Sequence, residues 1–177
     1  YKGLNPGRRI QLVNENYDKA SAMFNDDIEY SSGRIFVRGV SVNYGKEALI
    51  YGVQGVGSDF QFIDNAQMAE GRFINYQDEI SNGKVAVIGN KIKKDVFGNV
   101  ETPIGEFIDI SGIPFKIVGV FKEMREREEE NIFIPISTAQ RTFNGGNRIN
   151  NMSFTLPPVD NFDAAVAQAV NFKDDLK

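Results

Sequence analysis

Between Met68 and Phe143 the apolar residues of this chain come only in short runs, interrupted by glycine, proline, asparagine or charge. Runs of this length are too short for helical layers and suit strands of a small sheet. Met68 to Ile74 reads as a strand, and Asn75 caps a helical turn over Tyr76 to Ile80. Lys84 to Ile88 is an apolar strand. Asn90 caps a short helix that carries Ile92, Val96 and Phe97, and Gly98 ends it. Phe107 to Ile110, the turn Ser111-Gly112 and Phe115 to Phe121 predict a hairpin. Asn131 to Pro135 is a further strand, and Ser137 caps a helix through Phe143.

The flanks have longer periods. Asn5-Pro6 marks a helix start, and Ile10, Val13, Tyr17, Ala20 and Phe24 follow at spacings of three and four until Asn25-Asp26-Asp27. Ile28 and Tyr30 then share one strand face, and Ile35 and Val37 the other. Val40, Val42 and Tyr44 return to the first phase, so a bulge is expected near Gly39. Gly45-Lys46 is a turn, Leu49 to Val56 the partner strand, and Asp59 caps a helical turn to Ile63. Ile149 to Leu156 is a strand stopped by Pro157-Pro158. Asp160 caps a last helix with Phe162, Val166, Ala169 and Val170 on one face. These patterns predict an α+β fold. Residues 1–65 and 146–177 form one discontinuous subdomain, and 66–145 an inserted β-rich one.

Composition removes several chemistries. The chain has no cysteine and no histidine. Disulfides, thiolate nucleophiles and Ser–His or Cys–His catalysis are therefore excluded. The net charge of −4 and the lack of a basic stripe argue against nucleic-acid binding. No Gly-Lys-Ser/Thr triplet exists, so there is no P-loop. Gly52, Gly55 and Gly57 imitate a dinucleotide fingerprint, but Phe60 stands where its third glycine belongs, and a turn is the simpler reading. The carboxylate groups Asp26-Asp27, Asp78-Glu79 and Glu128-Glu129-Glu130 lack the convergent spacing of an acid–base pair or a calcium loop and read as solvated surface. No cofactor, metal or catalytic residue is expected. No run approaches the ~20 apolar residues of a membrane span. The chain opens Tyr1-Lys2-Gly3 without a signal peptide, and is expected to be a piece of something longer.

The middle segment also carries an ordered series of motifs: Gly71-Arg72-Phe73, Asp78, Val85 to Gly89, Phe97-Gly98, Pro103 to Gly105, Pro114 to Val120 with Gly119, and Pro135. In this order they resemble the periplasmic core domain of MacB-type ABC transporter permeases, within the wider FtsX-like group. The resemblance covers under half the chain. It implies a porter-like βαβ-type subdomain with a small second subdomain, and a non-catalytic role, the ATPase lying on a separate cytosolic domain or subunit. It also implies a place on the periplasmic face of the bacterial inner membrane, reached through flanking helices absent from this chain. The full-length transporter would be a dimer. Its partners would be a periplasmic adaptor and an outer-membrane channel, and its work the relay of ATP-driven motion in efflux or export. FtsX-like relatives would instead release lipoproteins or regulate cell-wall hydrolases, with a lipoprotein or hydrolase partner. A hydrolase using acidic residues is the alternative of another class. Each motif residue has a plain role in making the fold.

Lys122 to Glu130, KEMREREEE, is the most charged segment. It reads as a solvated hairpin tip, or as an interaction loop in which Arg125, Arg127 and Glu128 dock a partner.

Overall fold

The computed structural model describes residues 11–98, 100–122, 128–143 and 145–175. In chain order the strands are β1 (Leu12–Val13), β2 (Tyr30–Val37), β3 (Val42–Tyr44), β4 (Glu47–Leu49), β5 (Gly52–Val56), β6 (Gln67–Gly71), β7 (Val85–Gly89), β8 (Phe107–Ile110), β9 (Ile113–Lys122), β10 (Asn131–Pro135), β11 (Arg148–Ile149) and β12 (Asn151–Thr155). The helices are α1 (Asn14–Met23), α2 (Phe60–Ile63), α3 (Tyr76–Ile80), α4 (Asn90–Ile92, continued by a π turn over Lys93–Phe97), α5 (Ile136–Thr142) and α6 (Phe162–Asp175). The α+β class expected from the sequence is the class of this fold.

Ten strands form one sheet in the order β12-β2-β5-β10-β7-β9-β8-β3-β4, with β6 added against β9. Most neighbours are antiparallel, but β10 runs parallel to β5 and β7 runs parallel to β9. The hairpin β8–β9 has the predicted turn, with Ile110 opposite Ile113. The sheet passes without a break from the flanking segment to the middle one, because β5 pairs with β10.

Strand alternation buries both faces. Ala86 and Ile88 of β7, and Ile132 and Ile134 of β10, enter one core with Val53, Ile92, Phe97, Phe115, Ile117 and Val120. Val87 and Phe133, one residue out of phase, enter the other with Val56, Phe60, Phe73, Ile74 and Phe121. In that second core the Phe133 ring lies 4.8 Å from Phe121, 5.4 Å from Phe60 and 5.9 Å from Phe73. The phase of β9 changes midway: Phe115 and Ile117 share a core with Val120, not with Val118 and Phe121. The cause is one extra residue on β9, since Ala86 faces Ile117 while the next residue, Val87, faces Gly119.

Several local expectations change. Residues 1–10, including Asn5-Pro6, lie outside the described residues. Leu12 and Val13 are not helical but pair with Ile149 and Arg148, so the helix starts at Asn14. The phase change near Gly39 is not a bulge within one strand. Strand β2 ends at Val37, Gly39 turns at φ +70°, and β3 is separate. The expected strand Leu49 to Val56 is split, with Ile50 fully exposed between β4 and β5. Gly52 and Gly55 lie in β5 and not in a turn. Ser137 lies inside α5 and donates its hydroxyl to the Glu79 carbonyl at 2.6 Å. The last helix is capped by Asn161, whose Oδ1 accepts from the Ala164 N–H, and not by Asp160. Its stripe of Phe162, Val166 and Val170 is exposed, because Phe172 is the ring that packs inward, on Phe24 and Phe154.

Gly89 closes β7 where the main chain of Glu129 crosses it. A Cβ on Gly89 would lie 1.9 Å from the Glu129 carbonyl oxygen and 2.6 Å from its Cα. Backbone on both sides leaves nothing that can yield. Gly89→Ala is expected to lower stability by about 3 kcal/mol or more, through overpacking, in urea unfolding. Gly98→Ala, where a Cβ meets nothing within 4 Å but φ +50° and ψ −107° suit glycine alone, should cost about 2 kcal/mol in the same measurement, from backbone strain and not from a clash.

Candidate functional site

The motif residues fall into three local constructions. The first is built on Arg72 and Asp78. Asn75 has extended backbone and caps α3, its Oδ1 accepting from the Asp78 N–H at 2.9 Å. Asp78 reciprocates, Oδ2 accepting from the Asn75 N–H at 2.9 Å. The guanidinium of Arg72 then grips the same carboxylate at both oxygens, 2.6 and 3.1 Å away, and donates to the Phe73 carbonyl at 2.9 Å. Asp78 is buried while the Arg72 side chain stays 46% exposed. One carboxylate therefore holds a helix start and the preceding strand end together.

The second is the crossing of β6 and β9, where Gly71 and Gly119 face each other. A Cβ on Gly119 would come within 2.1 Å of the Arg72 carbonyl oxygen, and Gly71 has φ +64°. The third is the stretch from α4 to β8. Phe97 packs on Tyr44 at 4.4 Å, Gly98 ends the π turn, Pro103 is buried, and Gly105 donates its N–H to the Ile117 carbonyl at 2.8 Å. Pro114 sits exposed at the start of β9, opposite Asp109. Pro135 ends β10 and leads directly into α5.

Of the carboxylate groups weighed in the sequence, Asp26 and Asp27 are exposed. Asp78 is committed to Arg72, and Glu129 is buried beneath the strand end at Gly89. Arg125 and Arg127, and the side chain of Glu128, lie outside the described residues; their flanks are Lys122 at the end of β9 and the short helical turn Glu128–Glu130. Among the described residues no three Asp, Glu, His or Cys side chains gather as metal ligands do. No helix among them is long and apolar enough to cross a membrane.

A cavity of about 200 Å³ was not foreseen. Its walls include Asn14, Tyr17 and Asp18 of α1, Ser137 and Gln140 of α5, and Glu79 of α3. Glu79 anchors its Oε1 on the Ser58 N–H at 2.6 Å. Burial pushes its carboxyl above the usual carboxylate range, against the lowering effect of that hydrogen bond. Burial likewise raises the Tyr17 phenol, which shares a 2.9 Å hydrogen bond with Ser31. No local pattern marks this site, since its walls are drawn from positions as far apart as Asn14 and Ile149.

The MacB-like periplasmic core domain model matches residues 4–172, nearly the whole chain. The chain belongs to that family. Its relatives include the macrolide export ATP-binding/permease protein MacB of Mannheimia succiniciproducens, 27% identical over 94% of this chain and 26% of that protein. Another is the pyoverdine export ATP-binding/permease protein PvdT of Pseudomonas aeruginosa, 37% identical over 55% of this chain and 16% of that protein. The chain thus spans about a quarter or less of the length of these curated relatives. The periplasmic region of MacB from Actinobacillus actinomycetemcomitans has the same fold. Its TM-score is 0.76 at 20% identity, covering 97% of this chain and 77% of that one. So has the extracellular domain of the ABC-type transporter YknZ from Gram-positive bacteria, with a TM-score of 0.72 at 19% identity, covering 97% and 86%. The chain is therefore a MacB-like periplasmic core domain of an ABC transporter permease.

Two substitutions test this geometry. Asp78→Ala leaves the Asn75 cap but removes the acceptor for the Asn75 N–H and the carboxylate that Arg72 grips, and should cost about 2 kcal/mol in chemical unfolding; Asp78→Asn keeps the acceptor for the Asn75 N–H and should cost about half as much. For Glu79, the unfolded chain gives up its proton more readily than the folded one. Folding therefore loses stability as pH rises through and above the carboxylate range. Glu79→Gln has no proton to lose. It should melt a few degrees above the parent at about pH 7 and level with it at about pH 4, in thermal scans.

Proposed function

We propose that this periplasmic core domain relays ATP-driven movement and docks an adaptor for efflux or export, without catalysing a reaction itself. The observation that carries the reading is the family match across residues 4–172. The relatives' names, macrolide export and pyoverdine export, support export as the process. In this reading ATP is hydrolysed elsewhere, on a fused domain or a separate subunit. The permease sits in the bacterial inner membrane, works as a dimer, and passes its cargo to an adaptor and an outer-membrane channel. The segments 1–65 with 146–177, and 66–145, act as two subdomains joined through the sheet at β5 and β10.

The segment between Lys122 and Glu128 is the proposed docking element. Both its flanks are fixed: Lys122 is paired with Gln67, and Glu129 lies on Gly89. A charged segment held at both ends can meet a partner without disturbing the sheet. Arg125→Glu with Arg127→Glu is expected to weaken adaptor binding about tenfold, by titration in moderate salt, and to leave the melting temperature unchanged. Unchanged affinity would remove this segment from the docking surface.

A further inference from the structure

The cavity of about 200 Å³ between α1, α3 and α5 stands on a bare patch of the sheet. Gly33 of β2 and Gly57, just past β5, come opposite each other one step beyond the pairing of Arg34 with Val56, and both line the space. A Cβ on Gly33 would lie 3.1 Å from the Ile136 Cδ1 and 3.5 Å from the Ile149 Cγ2. A Cβ on Gly57 would lie 3.7 Å from the Glu79 Oε2. Two missing side chains thus help to keep the space open, with isoleucine methyls over one glycine and a carboxylate oxygen over the other.

Most hydrogen-bond donors on the walls are already committed. The amides of Asn14 and Gln140 bond each other at 3.1 and 2.7 Å, and Gln140 also donates to the Arg148 carbonyl at 2.9 Å. Ser137 donates to the Glu79 carbonyl, and Tyr17 shares a hydrogen bond with Ser31. Acceptors remain. Glu79 takes the Ser58 N–H on Oε1, and a carboxylate has about four lone-pair sites. Asp18 adds a second carboxylate, on an exposed residue. Among the described residues no Lys or Arg lines the cavity, and none pairs with Glu79 or Asp18. Burial raises the Glu79 carboxyl, and the charges of Asp59 and Asp78 add to the effect, so its anion gains from a nearby cation.

The walls also limit what that cation is. Ile136 and Ile149 offer a hard metal ion nothing to bind, and no three acidic side chains gather among the described residues. An apolar body with one charged head uses both kinds of wall. A cavity of about 150 Å³ can take benzene, so one of about 200 Å³ holds roughly six to eight non-hydrogen atoms. We propose that this cavity binds a short aliphatic primary amine as its ammonium ion, with the head on the Glu79 carboxylate and the chain along Ile136 and Ile149. Asp18 adds to the attraction. The site is a small-molecule pocket in the body of the domain and does not depend on the mechanical reading above. An amine held there touches α1 of the flanking segment and α3 and α5 of the middle one, so it stabilises the folded chain.

Titration of the chain with pentylamine at about pH 8, where the amine is protonated and Glu79 ionised, tests the site by methyl and aromatic NMR. Saturable shifts are expected at Ile136, Ile149 and Tyr17 at millimolar amine, with a melting temperature that rises with amine concentration. Pentanol has the same length without the charge, and should bind about tenfold more weakly. Glu79→Gln should weaken the amine about tenfold and leave pentanol unchanged. This variant is expected to be the more stable chain near neutral pH, so lost binding there is not lost folding. Gly33→Ala puts a methyl on the cavity floor and should weaken both ligands about threefold or more. Absence of saturable shifts at these three residues overturns the site. So does equal affinity of the parent for amine and alcohol, or Glu79→Gln binding the amine as tightly as the parent.

Discussion

Three of the four other strands between Gln67 and Pro135 are registered directly against β9. Its ten residues pair with β7 along one edge, and with β8 and then β6 along the other. Three partners on one strand are possible only because β9 is long and because its extra residue near Val118 shifts the pleat between the two halves. Where β6 takes over from β8, the two backbones come so close that Gly71 and Gly119 must both lack side chains. The motifs that mark the family are largely the consequences of this arrangement. Glycines stand where chains touch, Pro103 and Gly105 bring the chain round to β8, and Arg72 with Asp78 fixes the exit from β6.

The two faces of the sheet are finished differently. One is closed largely by aliphatic side chains with α4 and α5, the other by Phe133 and the three phenylalanines around it. Both are apolar and tightly filled. At the outer end, around β2, β12 and α1, the contacts change to amides, hydroxyls and a few rings over a cavity. A domain built this way has a stiff middle and a looser flank.

Much of the middle segment was legible because its signals are local. Asn75 sits three residues before Asp78, Ser111-Gly112 makes a tight turn, and the apolar runs are bounded by breakers. The flanks were harder to read. The Ile10-to-Phe24 spacing continues the helical period through Leu12 and Val13, yet a partner at Ile149, far along the chain, draws them into a ladder. Ser137 looks like a cap, but a carbonyl from α3 claims its hydroxyl. Phe162, Val166 and Val170 have helical spacing and still face outward, because periodicity shows that residues share a face and not what covers it. The cavity and the Asn14–Gln140 pair depend on residues 126 positions apart, which no local pattern encodes.

The meeting of Gly89 with Glu129 has a consequence for how such a domain diversifies. The backbone contact clamps the charged run near its end, at Glu129, and the pairing of Lys122 with Gln67 clamps it at its start. Changes in length or sequence between these clamps are isolated from the register of β9 and β10. The scaffold can therefore accept a different sequence at this place without a new fold.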